Sequence, residues 1–222
     1  MVSKVLVIGD LHEPFCLDGY LEFCREKKKK YRPDRIVFIG DIIDNHYASF
    51  HSTDPNGMGG NDELELAIKR VARWYKAFPK ATVCIGNHDR LAFRKAVEGD
   101  VPLAWIREYN DVLGTPNWEW VERVVIDDVQ YVHGEGPKAH VRAQRDFQST
   151  VQGHHHTVAY VQNFAGADKR LFASQVGCGI DRTAYAMAYA KNFQRPFISC
   201  AIIDAGELAT VYPMRLERNA KS

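Results

Sequence analysis

Five turns of the chain carry side chains suited to gripping divalent cations: Asp10 and His12 in GDLH, Asp41 in IVFIGDIID, Asn87 in GNHD, His133 in VHG, and His154 with His156 in GHHHT. Carboxylate and amide oxygens mixed with imidazole nitrogens are the donor set that hard or borderline ions take. On an extended segment, residues two apart share a side, so Asp10 and His12 can hold one ion together. His154 and His156 could instead be shared between two adjacent ions, with His155 pointing away between them. Any one of these turns would be ordinary, and His133 taken alone reads as a structural core histidine. All of them together describe a polynuclear metal site.

Strands must deliver these residues to one place. Ile36 to Ile39 is a four-residue apolar run that fits a buried parallel strand. Gly40 breaks it and leaves Asp41 at the strand's C-terminal end, where open α/β sheets place their sites. Lys4 to Ile8, Ala81 to Ile85, Val129 to His133 and STVQG run into the other candidate turns in the same way. Between them, Leu17 to Tyr31 has helical spacing. Asn61 or Asp62 caps a longer helix, whose stripe is Leu64, Ala67, Ile68, Val71, Trp74, Tyr75 and Phe78. Aromatics at that spacing are core rather than a binding box. Arg90 to Leu113 reads as one or two helices interrupted near Gly99 to Pro102, and Lys138 to Phe147 as another.

The second half is β-rich. Trp118 to Val121, Val124 to Ile126 and Val129 to His133 are short strands, with Asp127-Asp128 at a tight turn. Val158 to Phe164 and Arg170 to Val176 form a hairpin, and Phe197 to Asp204 joins Leu208 to Met214 through Ala205-Gly206. The simplest packing is α/β: two sheets face to face with helices outside. Asn45 to Asn61 lacks periodicity and contains PNGMGGN, so it is expected to be a mobile loop overhanging Asp41. His46 and His51, within it, read as solvated.

Composition narrows the field. At 222 residues, with 45% hydrophobic and 26% charged, the chain fits a single globular domain over 1–222. A net charge of +1 gives no signature of nucleic-acid or anionic-membrane binding. The Lys27 to Lys30 run suits the last turn of a helix. Five cysteines (Cys16, Cys24, Cys84, Cys178, Cys200), without a C-x-x-C, read as buried free thiols. With no signal-peptide pattern and no run approaching the roughly 20 apolar residues of a membrane span, a cytoplasmic protein without membrane association is expected.

The ordered series D-x-H, G-D-x-x-D, G-N-H-D, H-G and G-H-x-H, spanning residues 10 to 156, resembles the calcineurin-like metallophosphoesterase superfamily. The resemblance implies a four-layer α/β/β/α sandwich of two mixed sheets with flanking helices, and a two-metal centre. It implies that Asp10, His12, Asp41 and His156 hold the first ion. Asp41 then bridges to a second ion completed by Asn87, His133 and His154. His88 matches the catalytic histidine, and Asp44 the carboxylate that orients it. The ions would be manganese, iron, zinc or nickel, manganese first.

Two ions roughly 3.5–4 Å apart can clamp the attacking and leaving oxygens of a phosphoryl displacement, with a bridging hydroxide as nucleophile. Asp10 and Asp41 offer two negative charges against four from the metals, a surplus that suits a phosphate ester. His88 would protonate the leaving oxygen. The substrate is expected to be a phosphate mono- or diester, with nucleotide or nucleic-acid-derived esters included, and no obligate protein partner is evident. The protein serine/threonine phosphatase branch carries Arg-Gly after the second motif and an Arg before the third. Asn45-His46 and Cys84-Ile85 stand there instead. Substitute phosphate clamps could come from Arg90, Arg142, Arg145 or Arg182, with no motif singling one out, and the tyrosine-rich stretch from Val176 to Pro196 could line the substrate mouth. A non-catalytic, metal-stabilised scaffold binding a partner is the alternative from another class. A single-metal amide hydrolase is the weakest.

Overall fold

The computed structural model describes residues 2–50, 57–181, 183 and 195–216. Strand β1 (Lys4–Ile8) leads into helix α1 (Tyr20–Tyr31), β2 (Arg35–Phe38), α2 (Gly60–Ala77) and β3 (Ala81–Cys84). Helices α3 (Leu91–Glu98) and α4 (Tyr109–Leu113) precede β4 (Trp118–Val121), β5 (Arg123–Ile126) and β6 (Val129–Val132). Helix α5 (Ala139–Asp146), β7 (Ser149–Gln152), β8 (Tyr160–Ala165), β9 (Arg170–Gln175), β10 (Ser199–Asp204) and β11 (Leu208–Pro213) complete the chain.

The strands form two mixed sheets. One has six strands in the order β11-β10-β1-β2-β3-β4, parallel from β1 to β4 and closed at one edge by the antiparallel β10-β11 pair. The other has five, ordered β5-β6-β7-β9-β8. Period-two alternation explains why β1 and β2 are apolar at every position after their first residue, Lys4 and Arg35: both faces are covered. Leu6, Ile8, Ile36 and Phe38 pack beneath α1 and α2 with Tyr20, Cys24, Val71 and Trp74. Val5, Val7, Val37 and Ile39 face the second sheet and meet Tyr131, Val151 and Phe172. On that sheet's outer side Ala139 and Ala143 of α5 pack on Ala173. Helices, sheet, sheet and helix thus form the α/β/β/α sandwich.

An aromatic cluster fixes α2. Trp74 and Phe78 each meet Phe38 edge-on at 5.9 Å between ring centroids. Such pairs add about 0.5–1.5 kcal/mol beyond area burial, so the helix is held by its stripe rather than by its ends. Its ends indeed differ from expectation: α2 starts at Gly60, with Gly59 rather than Asn61 or Asp62 preceding it. Helix α1 begins at Tyr20 instead of Leu17, because the Leu17 amide bonds to the Gly179 carbonyl at 2.7 Å and Gly19 takes a left-handed turn. Asp127 and Asp128 both have positive φ (51° and 59°), the geometry of a tight hairpin turn. All five cysteines are buried and free.

The loop after Asp41 is firmer at its start than its composition suggests. His46–Ala48 form a 3₁₀ turn, and His46 is buried rather than solvated, its amide donating to Glu63 Oε1 at 2.7 Å. His51 and Pro55 lie outside the described residues. No helix among the described residues is long and apolar enough to cross a membrane.

Candidate metal centre

All the candidate turns leave the same end of the two sheets. β1, β2 and β3 deliver Asp10 with His12, Asp41, and Asn87 with His88; β6 and β7 deliver His133 and His154 with His156. Asp10 and His12 do converge, but not by strand alternation. His12 has φ 52°, and its amide and that of Leu11 both donate to the Asp41 carbonyl, at 2.8 and 3.0 Å. The two loops are therefore laced together, and a left-handed residue restores the shared direction.

Hydrogen bonds set the histidine tautomers. A carboxylate can only accept, so His12 Nδ1 donates to Asp44 Oδ1 at 2.6 Å and the Nε2 lone pair points inward. His133 Nδ1 likewise donates to the Ile39 carbonyl at 3.0 Å. Its Nε2 faces Asn87 Oδ1 at 2.9 Å and Asp41 Oδ2 at 3.2 Å. His154 Nδ1 lies 2.9 Å from the same Asn87 oxygen. His156 Nε2 is 3.0 Å from His12 Nε2 and 3.2 Å from Asp10 Oδ2. Ligands adjacent on an ion at about 2.1 Å stand roughly 3 Å apart, so these spacings would suit donors to a common ion. His155 points away, its Nε2 on the Gly136 carbonyl at 3.0 Å.

Three groups of potential ligand atoms fall within 4.8 Å: Asp10, His12, Asp41 and His156; Asp41, His133 and His154; and His12, Asp44 and His88. Asp41 joins the first two. The donors fit cations on electrostatic grounds as well. Asp10 Oδ1 is buried with no hydrogen-bond partner, an arrangement that costs about 1–3 kcal/mol or more for a charged group unless something positive sits against it. Burial lowers the pKa of His133, yet the Asp41 and Asp10 carboxylates more than offset it and raise it to about 10. Burial keeps His12 below its usual value, and burial with the charge of His133 holds His154 at about 4, leaving both nitrogen lone pairs available.

Backbone design keeps this space open. Gly40 has φ 114°, and a Cβ there would meet His133 Nδ1 at 2.5 Å. A Cβ on Gly86 would collide with Asp41 Oδ1. Either side chain would displace a candidate ligand.

Two placements differ from expectation. The Asp44 carboxylate serves His12; its backbone carbonyl is what accepts from His88 Nδ1, at 2.6 Å, while its Oδ1 is 3.5 Å from that nitrogen. Val176 to Ile180 do not line a mouth but brace the site from below: the Gly179 amide donates to the Asp10 carbonyl at 2.7 Å, and Cys178 bridges to Asp10. Residues 182 and 184–194 of that stretch lie outside the described residues.

Other residues were not singled out by sequence. Asp89 is buried; its Oδ1 accepts from the amides of Ile42 and Ile43 (2.9 and 3.3 Å) and its Oδ2 from Gly86 (2.8 Å). It thereby fastens the Asp41 turn to the Asn87 turn. Burial, then the Asp41 charge, pushes its pKa to about 7 against those amides. Its signal was the last letter of GNHD, a carboxylate within reach of turn amides. Asp89→Asn is expected to cost about 1–3 kcal/mol, since an amide nitrogen would face one of the three donors. Chemical denaturation read against wild type checks this. Glu13, also buried, accepts from Arg70 Nε (2.6 Å) and Trp74 Nε1 (2.8 Å) and ties the Asp10 loop to α2.

Beside the candidate ligands lies a cavity of about 100 Å³ lined by Asp44, His46, Ser49, Phe50, Asn87, His88, Leu91 and Arg94. A larger open depression, about 510 Å³, lies between Glu108 and Trp120 and holds none of the candidate residues. Of the arginines named from sequence, Arg90 is bound to Glu122 and to Glu135 (2.8 Å). Arg142 donates to Gln152 and Arg145 to Asp146. Arg182 lies outside the described residues.

Fold and donor set together define a two-sheet α/β protein whose strand ends converge on clusters of carboxylate, amide and imidazole. The calcineurin-like phosphoesterase family model matches residues 3–175, and the chain belongs to that family. No curated protein sequence matches it. Among solved structures it is similar to Vacuolar Protein Sorting 29 from Cryptosporidium parvum, with 14% identity, 96% of this chain and 98% of that one covered, and TM-score 0.46. It is also similar to the nuclease MPE of Pseudomonas putida (16% identity, 95% and 86% covered, TM-score 0.40). The phosphoesterase Yfce of E. coli gives 14% identity, 90% and 88% covered, and TM-score 0.40.

Proposed function

We propose that the chain is a metal-dependent phosphoesterase hydrolysing phosphate mono- or diesters within one domain over 1–222. In this reading Asp10, His12, Asp41 and His156 hold one divalent ion. Asp41, Asn87, His133 and His154 hold another, with manganese the first choice. The observation that supports it most is Asp41 shared between two ligand groups, beside a histidine that neither group uses. When bound, two divalent cations supply Lewis acidity for the phosphoryl oxygens and activate the attacking water.

The chain's own residues do the rest. His88 Nδ1 is tied to the Asp44 carbonyl, so its other nitrogen is the one that can serve the substrate. Burial lowers its pKa, but the charges of Asp41 and Asp44 and the Asp44 carbonyl raise it overall and favour the protonated ring. It then has a proton to give the leaving oxygen. Asp44 works on the other side through its carboxylate, which fixes the His12 tautomer, as outer partners of metal-binding histidines do.

A screen of metal-reconstituted protein against matched mono- and diesters tests the reading. Hydrolysis should require added metal and disappear with chelator. No turnover of any ester with Mn²⁺, Fe²⁺, Zn²⁺ or Ni²⁺ would overturn it. The scaffold reading has one observation in its favour: Val97, Val101, Leu103 and Trp105 expose apolar surface in one stretch, Trp105 at 80%. Full catalytic competence of the loaded protein would remove the need for it.

A further inference from the structure

We propose that Arg94 is a specificity-determining residue that selects phosphate esters carrying a second anionic group on the leaving-group side. The proposal rests on the reading of His88 as the residue that serves the leaving oxygen. If His88 protonates that oxygen, the leaving group lies beside His88, and the 100 Å³ cavity that His88 lines is the space the proposal assigns to it.

The charges around the cavity are unbalanced. The Asp44 carboxylate lines it but is spent on His12 Nδ1. Arg94 has no carboxylate partner among the described residues, whereas its neighbour Arg90 is held by two glutamates. The Arg94 guanidinium instead lies over the Phe50 ring, 4.5 Å from its centroid, and Lys95 Nζ lies 3.8 Å from the same centroid. An aromatic face orients a guanidinium without neutralising it. A planar fork without a counter-ion among the described residues, lining a small cavity, is built to take a carboxylate or phosphate. Either anion satisfies this chemistry, so the class is an ester with a carboxylate or second phosphate a few bonds from the scissile oxygen.

The test compares 4-carboxyphenyl phosphate with 4-carbamoylphenyl phosphate, which match in shape and differ in charge. A charge-assisted pair should give wild type a roughly 10–100-fold preference for the carboxylate in kcat/KM, carried by KM. Arg94→Gln should collapse that ratio to near one, Arg94→Lys should keep part of it, and Arg90→Gln should keep all of it. Adenosine 3′,5′-bisphosphate against adenosine 5′-monophosphate asks the same of a second phosphate. It separates the two sources: a preference in either pair that Arg94→Gln erases supports the proposal. No preference in wild type in either pair, or equal losses for both members in Arg94→Gln, overturns it. A readout free of turnover is 4-hydroxybenzoate binding to metal-free protein, seen by ligand line broadening, with 4-hydroxybenzamide as control. If no ester is hydrolysed with any metal, the phosphoesterase reading has failed and this binding decides alone. Carboxylate-selective broadening lost in Arg94→Gln supports an anion site, and its absence in wild type overturns one.

Discussion

Replacing His88 with Asn is expected to lower kcat by on the order of 10²–10⁴, the range for loss of a general acid, while metal content stays unchanged. His88 makes none of the short contacts that join the two main ligand groups. Its Nδ1 is on a carbonyl, and its amide, which the substitution keeps, donates to Asp41 Oδ1 at 2.8 Å. The loss should shrink for nitrophenyl esters, whose leaving oxygen needs little protonation, and be largest for alkyl esters. Steady-state kinetics on both kinds, with metal analysis of the same samples, checks this. Equal rates for wild type and variant on alkyl esters would refute the role, and loss of metal would make His88 a ligand instead.

Asp41→Asn should weaken both ions together, by more than the 10–100-fold that follows loss of an outer-sphere partner. The substitution keeps shape, keeps an acceptor for the His88 amide, and suits the left-handed backbone at this position (φ 47°), which Asn tolerates well. What it removes is charge from a buried point between two ligand groups. His12→Ala should weaken mainly the ion held with Asp10 and His156. Metal titration followed by mass spectrometry of the intact protein separates these outcomes. An Asp41→Asn protein that loses a single ion, the other binding as in wild type, would show that the carboxylate is not shared.

Much of this arrangement was legible in the chain because the turns of Asp10, Asp41 and Asn87 each end a short, largely apolar strand. A run such as IVFI has few structural options, and a glycine after it marks where the strand stops. The stripe of α2 was equally clear, since Trp74 and Phe78 recur at helical spacing. Less legible was whatever depends on partners far along the chain. Nothing local says that β10 pairs antiparallel with β1, or that β9 inserts between β7 and β8. The same holds for Asp44. Its spacing from Asp41 places it near both His12 and His88, and only the turn of the backbone decides that the carboxylate reaches one and the carbonyl the other. Arg94 gave no signal at all. On a helix its character depends on whether a glutamate stands opposite, as it does for Arg90, and that is a property of the folded surface.

The candidate ligands come from both sheets: Asp10, Asp41 and Asn87 from the first, His133, His154 and His156 from the second. A cation seated among them would act as a rivet through two plates joined mainly by apolar contact between residues such as Val37, Ile39, Tyr131 and Phe172, with hydrogen bonds such as that from His133 Nδ1 to the Ile39 carbonyl beside it. Ligand free energy then becomes folding free energy, about 2.7 kcal/mol when free metal stands at 100 times its Kd. The plates in turn set the rivet hole: a fraction of an ångström of slippage between them, caused by an overpacked Val37 or a truncated Phe172, would misalign donors that neither residue touches. Metal supply would in this way govern how long the protein lasts as well as how fast it works, and substitutions buried between the sheets would surface first as altered metal appetite.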